Sequence, residues 1–337
     1  MSDGSPIAID LHAHVLDRDV MERLRALAPG HGSRVVEADE GFYLERSGGR
    51  RLGPIPAGMF DLERRVADMD ASEVAVQLLS VPPFEFHYEL EADLARQFAP
   101  IQNDSIRTQV ARFPDRFQMF ATLPLQDAGA TLAEIERVAA WPEVRGVEIG
   151  TNVAGANLDA EHLEPVWAAL EARDLGVWIH SGLGTMAAAD RLGRYYLQNL
   201  IGNPLESTIA IASLIFGGVL ERYPALRFGF VHGGGFSPYQ LGRWDHGWGC
   251  RPEPRAVIEV PPSTYYARMF FDCLTHNQDS LEFLGRKAGW SHVVVGSDYP
   301  FDMAEDDPVG TVRRLDLPEA DLYAVLRGNA ERFMRPR

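Results

Sequence analysis

The sequence has 337 residues, 46% of them hydrophobic, and a formal net charge of −16 at pH 7. That length supplies one large core, and that charge excludes nucleic acid and anionic membrane surfaces as natural partners. No apolar run reaches the length of a membrane span, no basic-then-apolar leader opens the chain, and two cysteines build no disulfide framework, so a reducing cytoplasm is the expected compartment.

The first predicted element is the apolar run Ile7-Ala8-Ile9-Asp10-Leu11-His12-Ala13-His14, read as a buried strand. Residues i and i+2 of a strand share a face, so His12 and His14 project together at its carboxyl end. A short helix follows over 19–28. Val35-Val36-Glu37-Ala38 and Phe42-Tyr43-Leu44 then read as two short strands around Asp39-Glu40-Gly41. Gly48, Gly49, Gly53, Pro54 and Pro56 break any regular element after them. This predicts a small hairpin insertion over 31–57, with Arg50 and Arg51 at its end.

From Asp61 onward the pattern is regular. Strands are expected at 74–79, 117–123, 144–149, 176–180, 227–232, 269–272 and 292–298. Helices are expected from Asp61 as cap and over 89–113, 127–140, 159–173, 204–223, 237–247 and 279–285. Eight near-continuous apolar strands alternating with helices predict an α/β fold, a (β/α)8 TIM barrel spanning 1–337 as one domain. The competing open doubly wound sheet lacks its Gly-x-Gly-x-x-Gly turn.

Five polar residues end these apolar strands: His12, His14, His180, His232 and Asp298. Barrel active sites are built from strand ends on the carboxyl face. His12, His14, His180 and Asp298 offer three neutral nitrogens and one carboxylate, a set that suits Zn²⁺ best, with Mn²⁺ as the other candidate. A water on such an ion ionises near pH 7. His232 is left free for general acid/base work, and Gly233-Gly234-Gly235 after it permits close approach of backbone or substrate.

The His-x-His pair, the histidines ending strands five and six and the aspartate ending strand eight resemble the amidohydrolase superfamily. Met69-Asp70, Pro204-Leu205-Glu206, His232-Gly233-Gly234-Gly235, Leu241-Gly242-Arg243, Gly296-Ser297-Asp298-Tyr299-Pro300-Phe301 and Gly328-Asn329-Ala330 resemble its decarboxylase branch, most of all the aminocarboxymuconate-semialdehyde decarboxylases. The resemblance implies one zinc on His12, His14, His180 and Asp298, with His232 as catalytic acid/base beside Asp298. It also implies that Arg243 reaches a substrate carboxylate bound by the neighbouring subunit, hence a homodimer or higher homo-oligomer. A second substrate arginine is implied on the insertion, where Arg51 is the better match and Arg50 the next. Phe301, with Phe84, Phe86 and Tyr299, is expected to wall the pocket.

Three departures bear on the substrate. Ser181-Gly182, with Gly184 soon after, replaces a proline and a bulky residue, opening the pocket. Asp302-Met303-Ala304-Glu305 replaces the family's usual sequence after Phe301. Glu148 ends strand four, facing either the metal cavity or an ion-pair partner. The implied activity is metal-dependent, non-oxidative decarboxylation of a small unsaturated or aromatic carboxylic acid, aminocarboxymuconate-semialdehyde-like or hydroxybenzoate-like. No pyridoxal or thiamine signature is present, so the substrate supplies its own electron sink. Local arginines would overcome the acidic surface for an anionic substrate. The alternatives are a metal-dependent hydrolase of an amide or lactone on the same fold, and a binding protein that has lost chemistry.

Overall fold

The computed structural model describes residues 6–38, 41–45, 51–182 and 185–335; Asp39-Glu40, Gly48-Gly49, Arg50 and Gly184 lie outside them. Eight strands form one sheet in sequence order: β1 (Ala8–His14), β2 (Val74–Ser80), β3 (Phe117–Ala121), β4 (Val144–Gly150), β5 (Gly176–His180), β6 (Phe228–Phe230), β7 (Phe270–Asp272) and β8 (Val293–Val294). Every neighbouring pair is parallel. The sheet returns on itself through bridges from Asp10 to Val295 and from Ala13 to Tyr299. This is the expected (β/α)8 barrel, and closure removes the exposed sheet edge.

The apolar runs are explained by burial on both faces. All seven residues of β1 are buried. Inside the barrel, Ile9, Leu11, Phe120, Trp178 and Phe270 pack around Phe333, which comes from the last helix and plugs the amino-terminal end. Gly229 is obligatory in this layer, because a Cβ there would stand 2.2 Å from the Trp178 ring. The larger core lies between strands and helices. Burying a residue of the size of Phe333 contributes about 2–3 kcal/mol.

The helices that matter to the site are α1 (Arg18–Leu27), α2 (Leu62–Ala71), α3 (Ala92–Val110), α4 (Asn203–Phe216) and α5 (Ser237–Cys250). Asp61 caps α2 as expected, accepting from the Arg64 amide at 3.0 Å. Asp17 caps α1, accepting from Asp19 and Val20 amides. Each such cap stabilises by about 1 kcal/mol. No helix among the described residues is long and apolar enough to cross a membrane.

The hairpin expected after β1 is present as Arg34–Ala38 and Gly41–Glu45, and a third antiparallel strand, Arg51–Ile55, extends it. The third strand runs through Gly53-Pro54, which the sequence marks as a break. Among the described residues it pairs only with the middle strand, and an edge strand tolerates a proline that has no N–H to donate. Strands six and eight are also shorter than expected. His232 and Asp298 lie beyond the ladders, because their φ angles of +53° and +61° end extended pairing.

Candidate metal centre

β1 delivers His12 and His14 on one face, β5 ends in His180, and the loop after β8 turns Asp298 back over them. The Asp298 amide donates to the His12 carbonyl at 2.8 Å, which fixes that turn. One donor atom from each of His12, His14, His180 and Asp298 lies within 4.8 Å of all the others, and all four residues are buried. The Nε2 atoms of His12 and His14 each stand 3.2 Å from Asp298 Oδ1. The His180 ring centre is 4.9 Å from that of His12 and 5.1 Å from that of His14.

The protonation pattern follows from the outer ring nitrogens. His12 Nδ1 donates to Asp272 Oδ2 at 2.8 Å, His14 Nδ1 to the Val81 carbonyl at 3.2 Å, and His180 Nδ1 to the Ser181 carbonyl at 2.8 Å. Those acceptors carry no proton, so each imidazole is protonated on Nδ1 and presents its Nε2 lone pair inward. The three Nε2 atoms and Asp298 Oδ1 are buried and have no hydrogen-bond partner among the described residues. Buried polar atoms rarely go unsatisfied, and four lone-pair donors aimed at one point fit a divalent cation.

The electrostatics agree. Burial, then the neighbouring His12 and His14, push the His180 pKa well below its usual value, which keeps the ring neutral. Burial would raise the Asp298 pKa, but His12, with further support from His14 and His232, holds it well below the usual carboxylate range. Burial disfavours a charged His12, and the Asp298 and Asp272 carboxylates outweigh it and draw a proton to the ring. A cation among these atoms would take that proton's place.

His232 stands at the edge of this cluster. Its Nε2 is 3.6 Å from Asp298 Oδ2, and its ring centre is 5.1 Å from that of His180. It lines a cavity of about 590 Å³, with Asn203, Tyr239, Thr275, His276 and Phe283 among the other walls. No lysine or arginine lines this cavity among the described residues. The glycines after His232 are there for geometry. All three have positive φ, and a Cβ on Gly235 would stand 2.1 Å from the Pro204 carbonyl oxygen.

Phe301 packs on the cluster, its ring centre 5.3 Å from that of His14, and Phe84 packs on Phe301 at 6.2 Å. The other two expected wall residues go elsewhere. Tyr299 donates to Asp68 at 2.7 Å and lies over the Arg65 guanidinium, while Phe86 stacks on Tyr88. Phe86, Tyr88 and Gly182 line a separate cavity of about 210 Å³. Arg51 is exposed on the insertion's edge strand and pairs with Glu45 at 3.3 Å. Arg243 is exposed on α5 and pairs with no carboxylate among the described residues. Neither arginine lines the cavity beside His232.

Two residues at the centre, Asp272 and Arg65, were not singled out in the sequence, and Glu148 takes the first of its two expected places, facing the metal cavity. Asp272 ends β7 and holds His12 from behind, its Oδ1 accepting from the Gly233 amide at 2.8 Å. Its one signal in the sequence is a carboxylate directly after Phe270-Phe271. Glu148 faces the centre from behind His14, its Oε1 3.9 Å from His14 Nδ1. Neither of its oxygens has a hydrogen-bond partner among the described residues, and burial pushes its pKa up to about 8. Arg65, on α2, is fully buried and donates to the His14 carbonyl.

Comparison with known proteins agrees with this geometry. The family model described as amidohydrolase matches residues 9–335. The chain belongs to the amidohydrolase family. It is 32% identical over 333 residues to the 2-amino-3-carboxymuconate-6-semialdehyde decarboxylase of Dictyostelium discoideum, covering 97% of this chain and 91% of that protein. It is 25% identical to the gamma-resorcylate decarboxylase of Rhodococcus jostii, covering 79% of this chain and 88% of that protein. Among solved structures, the 5-carboxyvanillate decarboxylase of Sphingomonas paucimobilis superposes with a TM-score of 0.84 at 24% identity, covering 99% of this chain and all of that one (100%). A dihydroxybenzoic acid decarboxylase of Polaromonas, solved with bound manganese and 2-nitroresorcinol, superposes with a TM-score of 0.80 at 19% identity, covering 98% of this chain and 97% of that one. These structural likenesses establish the fold of this amidohydrolase.

Proposed function

We propose that this chain is a divalent-metal-dependent, non-oxidative decarboxylase of a small aromatic or unsaturated carboxylic acid. The observation that carries the reading is the convergence of three Nε2 lone pairs and Asp298 Oδ1, with His232 beside them at the edge of an open cavity. The named decarboxylases among its relatives support it over hydrolysis of an amide or lactone.

His12, His14, His180 and Asp298 would hold the ion. Bound there, it would supply Lewis-acid charge that orients and polarises the substrate's oxygen atoms. Zn²⁺ suits the donor set, and Mn²⁺ is the ion in the Polaromonas structure, so both belong in the test. His232 moves the proton. Its Nε2 delivers a proton to the carbon bearing the carboxylate, which interrupts the conjugation. The carbon–carbon bond then breaks, its electron pair restores the conjugation, and CO₂ leaves. Asp298 Oδ2, 3.6 Å from His232 Nε2, orients that ring. Phe301 and Phe84 exclude water on the β1 side.

No lysine or arginine among the described residues lines the cavity beside His232; the resemblance to the decarboxylases is what supports Arg243 from a second copy of the chain, and Arg51 from the insertion, as the groups that hold the substrate's carboxylate. We propose a homo-oligomer on that ground, and a cytoplasmic enzyme on the ground that Cys250 and Cys273 are both free thiols.

The test is CO₂ release by protein loaded with Zn²⁺ or Mn²⁺, from a panel of aminocarboxymuconate-type and hydroxybenzoate-type acids, with a chelator-treated control. Metal-dependent release is expected from at least one class. A metal-replete protein that releases no CO₂ but opens lactones or amides would overturn the proposal.

A further inference from the structure

β1 and the β8 loop carry three of the four convergent groups, and three backbone hydrogen bonds join them: Leu11 N–H to the Val295 carbonyl at 3.0 Å, Asp298 N–H to the His12 carbonyl at 2.8 Å and His14 N–H to the Tyr299 carbonyl at 2.8 Å. β8 is a regular ladder only over Val293–Val294, and its continuation meets β1 through isolated bridges. Side chains supply the rest. Asp10 Oδ1 accepts from the His12 amide at 3.0 Å and from the Ser297 amide at 3.1 Å. Asp10 Oδ2 accepts from Ser297 Oγ at 2.6 Å and from Gln77 Nε2 at 2.9 Å. Gln77 Oε1 in turn accepts from Arg65 Nη1 at 2.8 Å. Arg65 Nη2 donates to the His14 carbonyl and, at 2.9 Å, to the Gly58 carbonyl where the insertion rejoins the barrel.

One buried relay, Arg65–Gln77–Asp10, therefore touches the backbone of His12 and His14, the residue before Asp298, and the exit of the insertion. Arg65 and Asp10 are fully buried and Gln77 nearly so. Burying a guanidinium and a carboxylate that do not touch each other is unfavourable, and apolar side chains of similar size would stabilise a barrel wall at lower cost. A relay kept at that cost has a positional role.

We propose that Arg65 and Gln77 are positioning residues. They set the spacing between the two β1 histidines and Asp298, and they tie that spacing to the insertion lobe. The proposal rests on the metal-centre reading above. It differs from a merely structural role in what it predicts for metal affinity.

The experiment measures divalent-metal affinity, by competition with a chromophoric chelator, for wild type, Arg65→Met and Gln77→Leu. Folding is followed separately by circular dichroism and thermal unfolding of the metal-free proteins. Met69→Ala is the control. It empties a buried site on the same helix, outside the relay, and lowers the unfolding temperature. Both relay variants are expected to bind metal roughly 10- to 100-fold more weakly, as for other residues that orient metal ligands. Met69→Ala is expected to lose thermal stability and keep its affinity. Folded relay variants with wild-type metal affinity would overturn the proposal, and so would a loss shared equally by Met69→Ala. Should Arg65→Met fail to fold, Gln77→Leu decides alone, because it removes the link and leaves the Arg65 bonds to His14 and Gly58. A wild-type protein that binds neither Zn²⁺ nor Mn²⁺ would instead overturn the metal-centre reading, and this inference with it.

Discussion

His232 and Asp298 share a backbone feature that their side-chain chemistry requires. Both hold φ in the left-handed region, at a cost of about 1–3 kcal/mol each, and both are thereby turned off the end of a strand toward the same point. Their roles separate in a pair of variants. His180→Ala removes one of four inward lone pairs, so the purified protein is expected to carry little metal and no activity. His232→Ala leaves all four in place, so metal content should match wild type while kcat falls about 10²- to 10⁴-fold. Elemental analysis beside CO₂ release reads both, and a metal-free His232→Ala protein would contradict the assignment. The four inward donors were legible in the sequence because each follows an apolar run that could only be a buried strand. Asp272 was not, since its partner His12 is 260 residues away in the chain and nothing local marks the contact. Arg65 was hidden for another reason. Its neighbours Glu63, Arg64 and Asp68 make it read as one more polar position on a solvated helix.

At the scale of elements, the loop between β2 and α3 depends on a charge pair rather than on regular structure. His87 is buried with φ of +53°. Its Nε2 donates to Glu85 Oε2 at 2.9 Å, and its Nδ1 is 3.5 Å from Glu89 Oε1. Burial opposes the charged ring, but Glu85, helped by Glu89, outweighs it and raises the His87 pKa to about 9. The folded state therefore holds this proton more tightly than the unfolded chain, whose histidines titrate near 6.5. The resulting stabilisation is complete below about pH 6.5 and is lost as pH rises through about 9. His87→Gln should destabilise by roughly 3 kcal/mol at neutral pH, because it leaves the buried Glu85 carboxylate unpaired. The stability difference between wild type and variant should shrink between pH 6.5 and 9, and denaturant titrations across that range measure it. This loop also carries Phe84 to the site, so the variant should raise KM as well. The pairing was invisible in Glu85-Phe86-His87, where a strand-like alternation would place both polar residues on a solvated face. The insertion was legible as an element, but its third strand was not, because glycine and proline signal a break without reporting that the strand is at an edge.

At the scale of the whole molecule, the acidic chain must still hold an anionic substrate, and its exposed surface suggests how. Tyr195, Tyr196, Leu200, Ile201, Phe236 and Tyr239 are all exposed, Tyr239 to 80% of its area. Leu200, Phe236 and Tyr239 also line the cavity beside His232, so this apolar patch surrounds its mouth. Exposed aromatic surface of this kind marks an interaction site. Arg243 lies one helical turn beyond Tyr239 on α5, on the same face, which puts a free guanidinium at the edge of the patch. A second copy docked there would bring its Arg243 to the first copy's cavity, and the two-fold relation would return the favour. Mixed dimers decide whether the arginine acts across the interface. Arg243→Ala and His232→Ala are each expected to be nearly inactive alone. Mixed in equal amounts and allowed to exchange subunits, half of the dimers pair one of each, and one of the two sites in such a dimer then has an intact His232 facing an intact Arg243. Activity should recover to about a quarter of the wild-type value. If Arg243 serves the cavity of its own chain, every site lacks one residue or the other and the mixture stays inactive.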